Sequence, residues 1–256
     1  MTKIIFIDFD GTLYSHKQNR VPESAVNALN TIREKGIKVF LCTGRSLCEL
    51  DDFDISMLKV DGLICNNGQA AYDEDKNIIY DYPCTGELKD TIVDVFNKKM
   101  FTVFIHTSTN VFCNYVSDFV VKVQSNINSP IPPVKAYENE DFYMCAIFNN
   151  YQDFDEFDKL NEIANITYWA DGAVDVVPKT ASKAMGIEKI INHYGFKKEE
   201  TMGIGDSDND IDMVEYCEIG IAMGNGYESV KKSADYITDD IDNDGLYKAF
   251  KKFNII

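Results

Sequence analysis

Asp8 and Asp10 stand two positions apart where the apolar run from Ile4 to Phe9 gives out, and Gly11 follows them. Two carboxylates at the end of a strand can share one site, one as nucleophile or metal ligand and the other as proton donor and acceptor. The same spacing also serves as a turn or a cap. A denser cluster lies in Gly203-Ile204-Gly205-Asp206-Ser207-Asp208-Asn209-Asp210. Three Asp and an Asn within residues 206–210 repel one another, and a hard cation with oxygen ligands is the natural compensator. An EF-hand loop is excluded, because its twelve-residue spacing with a central Gly and a terminal Glu is not followed. Thr43-Gly44-Arg45 offers a hydroxyl and backbone N–H groups that can hold an anion at a helix start, or simply a cap. Lys183 falls where a helix should begin, a place unfavourable for a cation unless an anion shares it; the plain alternative is a solvated surface lysine.

Elements of the right kind surround these residues. Ile4 to Phe9 reads as a buried strand, Pro22 to Lys35 as a helix with Ala25, Leu29 and Ile32 on one face and Gly36 ending it, and Ile37 to Cys42 as a second strand that stops at Thr43. Asp61 to Asn66 is a third. This alternation predicts a parallel sheet covered on both faces. From about Tyr82 to about Val177 the rhythm changes to that of an inserted α+β unit. Its helices are expected at Glu87 to Lys99 and Asp153 to Ala164, and its strands at Phe101 to His106, Val111 to Val116, Phe142 to Phe148 and Val174 to Val177. The Pro-rich stretch between Lys122 and Phe142 is expected to be an exposed loop. Alternation resumes after Pro178 with Ala184 to Tyr194 helical, Thr201 to Ile204 a strand, a helix starting at Asp210 and a strand at Ile219 to Met223. The expected organisation is therefore a discontinuous α/β core, residues 1–81 and 178–256, interrupted by residues 82–177.

Composition narrows the function classes. The 256 residues include 45% hydrophobic and 26% charged side chains, enough for a packed core. A net charge of −17 repels phosphate backbones and anionic lipid, which argues against a nucleic-acid or membrane partner. No obligate protein partner is indicated. The run Ile4-Ile5-Phe6-Ile7 is far too short for a signal peptide, and the seven cysteines show no CxxC spacing. A cytoplasmic protein with reduced thiols is expected.

Asp8-Phe9-Asp10-Gly11-Thr12, Thr43-Gly44-Arg45-Ser46, Lys183 and Gly205-Asp206-Ser207-Asp208-Asn209-Asp210 together resemble, in order and spacing, the four motifs of the haloacid dehalogenase superfamily. The likeness is closest to its Cof-type sugar-phosphate phosphatases, which carry a large α/β cap where this chain has its insertion. Asn66-Asn67-Gly68, Ile221-Ala222-Met223-Gly224-Asn225-Gly226 and Ala234-Asp235-Tyr236-Ile237-Thr238 look alike as well. The chain departs at Thr180 and Ala184, where glycines are frequent in such proteins.

The resemblance implies a Rossmann-like α/β core with an inserted cap and a Mg2+-dependent phosphatase acting on small phosphomonoesters. Asp8 would be the nucleophile that forms an aspartyl phosphate, and Asp10 the acid and base. Asp8, the Asp10 carbonyl and Asp206 would hold Mg2+, with Asp210 supporting from behind. Phe9, Thr43, Gly44, Lys183 and Asn209 would surround the phosphoryl oxygens. A phosphosugar mutase of the same fold is an alternative, although the segment from Glu87 to Val176 carries no Arg and only six Lys against fourteen acidic residues. An aspartate-phosphorylated receiver, a chain of about half this length with no insertion, and a silent sugar phosphate sensor are others. His106, Tyr168, Trp169 and Asp171 are candidates for lining the cleft, with a core role the plainer reading for an aromatic in a strand.

Overall fold

The fold is described from a computed structural model covering residues 1–51, 53, 55, 57–126, 129–149, 155–170 and 172–256, with the side chains of 155–157 and 169–170 left aside. The chain runs β1 (Ile4–Ile7), α1 (Glu23–Glu34), β2 (Lys38–Cys42), α2 (Leu47–Leu50), β3 (Gly62–Cys65), β4 (Ala70–Asp73), β5 (Ile78–Asp81), α3 (Gly86–Lys98), β6 (Thr102–His106), β7 (Val111–Cys113), α4 (Asp118–Asn126) and β8 (Met144–Phe148). It continues through α5 (Asp155–Ile163), β9 (Ala164–Ala170), β10 (Ala173–Pro178), α6 (Lys183–Tyr194), β11 (Thr201–Gly205), α7 (Ile211–Tyr216), β12 (Ile219–Ala222), α8 (Glu228–Ser233), β13 (Tyr236–Ile237) and α9 (Gly245–Lys252).

Two compact units emerge. The first comprises Met1–Arg45, Asp54–Asp81 and Ser182–Ile256; the second comprises Ser46–Phe53 and Tyr82–Ala181. The second unit thus takes in a short segment after Arg45 as well as the insertion, and runs to Ala181.

In the first unit an eight-stranded sheet has the order β13-β12-β11-β1-β2-β3-β4-β5. The pairs from β13 to β3 are parallel. The sheet is thus the expected parallel core, extended at one edge by the antiparallel strands β4 and β5. Their turn is built by Asp73, whose carboxylate accepts from the amides of Asp75 and Asn77. Because side chains alternate along a strand, Ile4 and Phe6 pack with Ile187, Ile190 and Met213 of α6 and α7, while Ile5 and Ile7 serve the opposite face. The order reverses at β1, with β2 and β3 following on one side and β11 and β12 on the other, and ligands bind at the carboxyl ends of strands flanking such a reversal.

The second unit is α+β, with an antiparallel sheet ordered β7-β6-β8-β10-β9. Val103, Ile105, Cys145 and Ile147 bury one face against Leu88, Ile92 and Phe96 of α3 and Leu160 of α5. Phe104, Ala146 and Phe148 bury the other against Val120 and Val123 of α4. The Pro-rich segment is partly ordered: its start belongs to α4, and Val134 forms a bridge with Cys113. No helix among the described residues is long and apolar enough to cross a membrane. All seven cysteines are free thiols and six are buried.

Candidate active site

The carboxyl ends of β1 and β11 bring the two acidic motifs together. Gly11 adopts φ +81°, a conformation open to glycine, and a Cβ there would stand 2.4 Å from Asp206 Oδ2. Gly205 is required for a similar reason, since the Asp210 carboxylate lies against its Cα. Thr12 donates to Asp206 Oδ1 at 2.7 Å, which ties the first motif to the fourth. The Gly224-Asn225-Gly226 turn supports this loop from below: Asn225 Nδ2 donates to the Gly11 carbonyl, and the Tyr227 amide donates to the Asp206 carbonyl.

Lys183 is the first residue of α6 and is wholly buried, so the reading as a surface lysine does not hold. Its Nζ donates at 2.6 Å both to Asp8 Oδ1 and to Asp210 Oδ1. The anions that a cation at a helix start requires are therefore present, and Asp212 adds another by accepting from the Ala184 amide at 3.0 Å. Asp210 turns its second oxygen to the amides of Asp206 and Ser207, 2.9 Å from each. Both its oxygens are committed, so it orients the loop and the lysine.

Asp8, Asp206 and Asp210 offer carboxylate oxygens that all lie within 4.8 Å of one another. Three buried or half-buried carboxylates face one lysine, a deficit of two positive charges. Burial and then the Asp210 charge push the Asp8 carboxyl well above its usual range despite Lys183. The same two causes, in the same order, raise Asp206 to about 6. For Lys183, burial opposes the charged form but Asp210 and Asp8 outweigh it and hold the ammonium protonated. The donors are all oxygens and the missing charge is two, which fits a hard divalent cation.

Asp10 faces a different way. Arg45 Nε donates to Asp10 Oδ2 at 2.6 Å and Arg45 Nη2 to Oδ1 at 2.8 Å, while His16 Nε2 lies 2.8 Å from Oδ1. Burial raises the Asp10 carboxyl, but the bonds from His16 and Arg45 more than offset it and bring it down to about 2. Thr43 is buried at the end of β2 and accepts from the Arg45 amide. Asn209 Nδ2 donates to Asn67 Oδ1 at 3.0 Å, and both amides lie next to the Gly44 Cα. Phe9 packs its ring on Tyr14 with centroids 5.4 Å apart, which leaves only its main chain for an anion. Lys183, Asp8, Asp206, Asp210, Thr43, Gly44 and Asn209 thus gather around the ends of β1, β2 and β11. Arg45, His16 and Asn67 were not read from the sequence as site residues. Arg45 and Asn67 stand inside the Thr43-Gly44-Arg45 and Asn66-Asn67-Gly68 segments, which is the signal that points to them, whereas His16 carries no spacing signal.

Of the residues suggested for the cleft, His106 is buried in the second unit, its Nδ1 3.2 Å from Glu49 Oε2. Tyr168 is largely exposed on β9. The Trp169 side chain and Asp171 lie outside the described residues. Glu49 also accepts from the Ser46 amide and hydroxyl. Burial raises its carboxyl, yet the His106 ring and the Ser46 bonds win and lower it to about 2. A depressed carboxylate contributes stability that is complete above its unfolded value and lost as pH falls through its folded one. Glu49→Gln should therefore lower the melting temperature near pH 5, with a penalty on the order of 2 kcal/mol that shrinks towards pH 2. Thermal melts across that window check it, and a penalty independent of pH would contradict it.

Residues 5–250 match the haloacid dehalogenase-like hydrolase family, and the chain belongs to it. The match covers the Cof-type branch and both units. A 5-amino-6-(5-phospho-D-ribitylamino)uracil phosphatase of Bacillus subtilis, YcsE, is 29% identical over 249 residues, 97% of this chain and 94% of its own. Among solved structures, BT1666, a phosphatase of the same superfamily from Bacteroides thetaiotaomicron, superposes with a TM-score of 0.91 at 30% identity, covering 100% of this chain and 96% of that one. The subclass IIB sugar phosphatase BT4131 superposes with a TM-score of 0.84 at 33% identity over the whole of both chains. Family membership sets aside the receiver alternative.

Proposed function

We propose that this chain is a Mg2+-dependent phosphatase of small phosphomonoesters, sugar phosphates foremost, working through an aspartyl phosphate on Asp8. The enzyme is a phosphoric monoester hydrolase, as its family and relatives support. The observation that carries the finer reading is the buried Asp8–Lys183–Asp210 chain beside Asp206, a nucleophile, a fixed cation and a charge deficit in one place.

One Asp8 oxygen attacks phosphorus and the bond to the ester oxygen breaks. Asp10 takes up a proton as the anionic ester binds beside it and gives that proton to the departing alcohol, then takes one from the water that cleaves the acyl phosphate and releases phosphate. The carboxylate form held by Arg45 and His16 is the one this second half needs. Lys183 holds Asp8 in place and compensates charge on the phosphoryl group, with Thr43, the Gly44 amide and Asn209 as further contacts. Mg2+, held by Asp8, the Asp10 carbonyl and Asp206, would screen the repulsion between an anionic nucleophile and an anionic ester. The insertion, with no Arg from Glu87 to Val176, is proposed to select the leaving alcohol by neutral contacts.

Chelation should abolish phosphate release from a sugar phosphate panel, and added Mg2+ should restore it while Ca2+ does so poorly, because calcium takes more ligands in a looser geometry. Asp206→Ala should weaken Mg2+ binding measured by calorimetry. Full turnover in a chelated sample would overturn the metal assignment.

A further inference from the structure

The loop after β1 contains a group that the motif reading leaves out. Residues 11–20 fold into a small hairpin: the Ser15 amide donates to the Arg20 carbonyl at 2.9 Å, and the Gly11 amide to the Tyr14 carbonyl at 3.0 Å. Its base is pinned from the far end of the chain. Asp242 Oδ1 accepts from the Ser15 hydroxyl at 2.6 Å and from Gln18 Nε2 at 2.8 Å, and Asp242 Oδ2 pairs with Lys17 at 3.2 Å. His16 sits on this hairpin with its ring edge against Tyr14, centroids 5.3 Å apart, and Tyr14 in turn stacks on Phe9. That packing aims Nε2 at Asp10 Oδ1, 2.8 Å away. A carboxylate only accepts, so the nitrogen facing it carries the hydrogen.

The two Asp10 oxygens are consequently unequal. Among the described residues, Oδ1 takes two donors, His16 Nε2 and Arg45 Nη2, whereas Oδ2 takes Arg45 Nε alone. The two-pronged Arg45 contact fixes the plane of the carboxylate, and because each donor lowers the basicity of the oxygen that it holds, the proton is carried on the oxygen with the fewer donors. We propose that His16 is a positioning residue for this reaction: its Nε2–H pins Oδ1 of Asp10 and so keeps Oδ2 as the edge for proton transfer. Asp242, through the hairpin base, keeps His16 in place.

This inference rests on the reading of Asp10 as the acid and base, and its test separates the two. His16→Phe keeps a ring against Tyr14 but removes the donor; His16→Gln replaces the donor. Each is assayed on a sugar monophosphate, whose alkoxide needs a proton to leave, and on p-nitrophenyl phosphate, whose phenolate does not. His16→Phe should lose about tenfold in kcat on the sugar phosphate and less than about threefold on the aryl ester, with KM unchanged. His16→Gln should regain most of the loss. Asp10→Asn, run alongside, should show the same selectivity for leaving group with a larger amplitude. Equal losses on both esters, or none, would overturn the role of His16 while leaving Asp10 intact if Asp10→Asn still discriminates. A wild-type enzyme inert on both esters would overturn the hydrolase reading and this role with it. If His16→Phe does not fold, His16→Ala gives the same comparison.

Discussion

Asp8→Asn is expected to lower turnover of every phosphomonoester by at least about 10^4-fold without loss of fold. The amide matches the carboxylate in shape but carries no charge to attack phosphorus, and nothing else among the described residues of the cluster is placed to substitute. Asp206 is tied to Thr12, and Asp210 has both oxygens committed to Lys183 and to backbone amides. Stability should hold or rise. Asp8 is buried with Asp210 and Asp206 as neighbours that raise its carboxyl, so removing its charge relieves repulsion, and Lys183 keeps Asp210 as a partner. Steady-state rates and a thermal melt on the same sample check both halves. Residual activity above about a tenth of wild type would rule out covalent catalysis at this position.

Lys183→Met should cost both activity and stability. The ammonium is wholly buried and donates 2.6 Å bonds to two carboxylates. Removing one member of a buried ion cluster leaves uncompensated charge, typically about 3–5 kcal/mol, a large share of the roughly 5–15 kcal/mol that holds a domain together. The pH dependence has a definite sign. Asp8 and Asp206 have folded pKa values above their unfolded ones, so they bind protons more readily in the folded state, and their destabilisation is relieved as pH falls. The gap in melting temperature between variant and wild type should therefore be wide at pH 7.5 and narrower near pH 5. Lys183→Met combined with Asp210→Asn should recover part of the stability and none of the activity. A gap constant with pH would mean that Lys183 acts by packing rather than charge.

Three of the four motif sites were legible because each lies where a continuously buried strand ends, and the fourth because a lysine opens a helix. Local chemistry there is unusual enough to stand out, most of all in an acidic loop without a counter-ion. Their supports were less visible. The grip of Arg45 and His16 on Asp10 joins residues 35 and 6 positions apart through side chains alone, and no periodicity encodes it. The β4–β5 hairpin is made of four-residue strands with a mixed polar turn, too short for an alternating pattern to rise above its surroundings. β9 follows α5 without a Gly or Pro between them, so the helix period runs into the strand and the boundary is lost. α4 buries only a narrow stripe, Val120 and Val123 with Gln124, and the Pro-rich segment beside it masks so weak a helical period.

The covalent role of Asp8 has one direct test. Asp10→Asn slows the hydrolysis of an acyl phosphate because the water loses its base, while a substrate with a good leaving group still phosphorylates the enzyme. The measurement is to mix Asp10→Asn with radiolabelled acetyl phosphate and Mg2+, quench in acid, reduce with borohydride and sequence the labelled peptide. The account predicts stoichiometric label in the quenched protein and homoserine at position 8 after reduction. Absence of covalent phosphate while product still forms, or reduction at any other carboxylate, would contradict it.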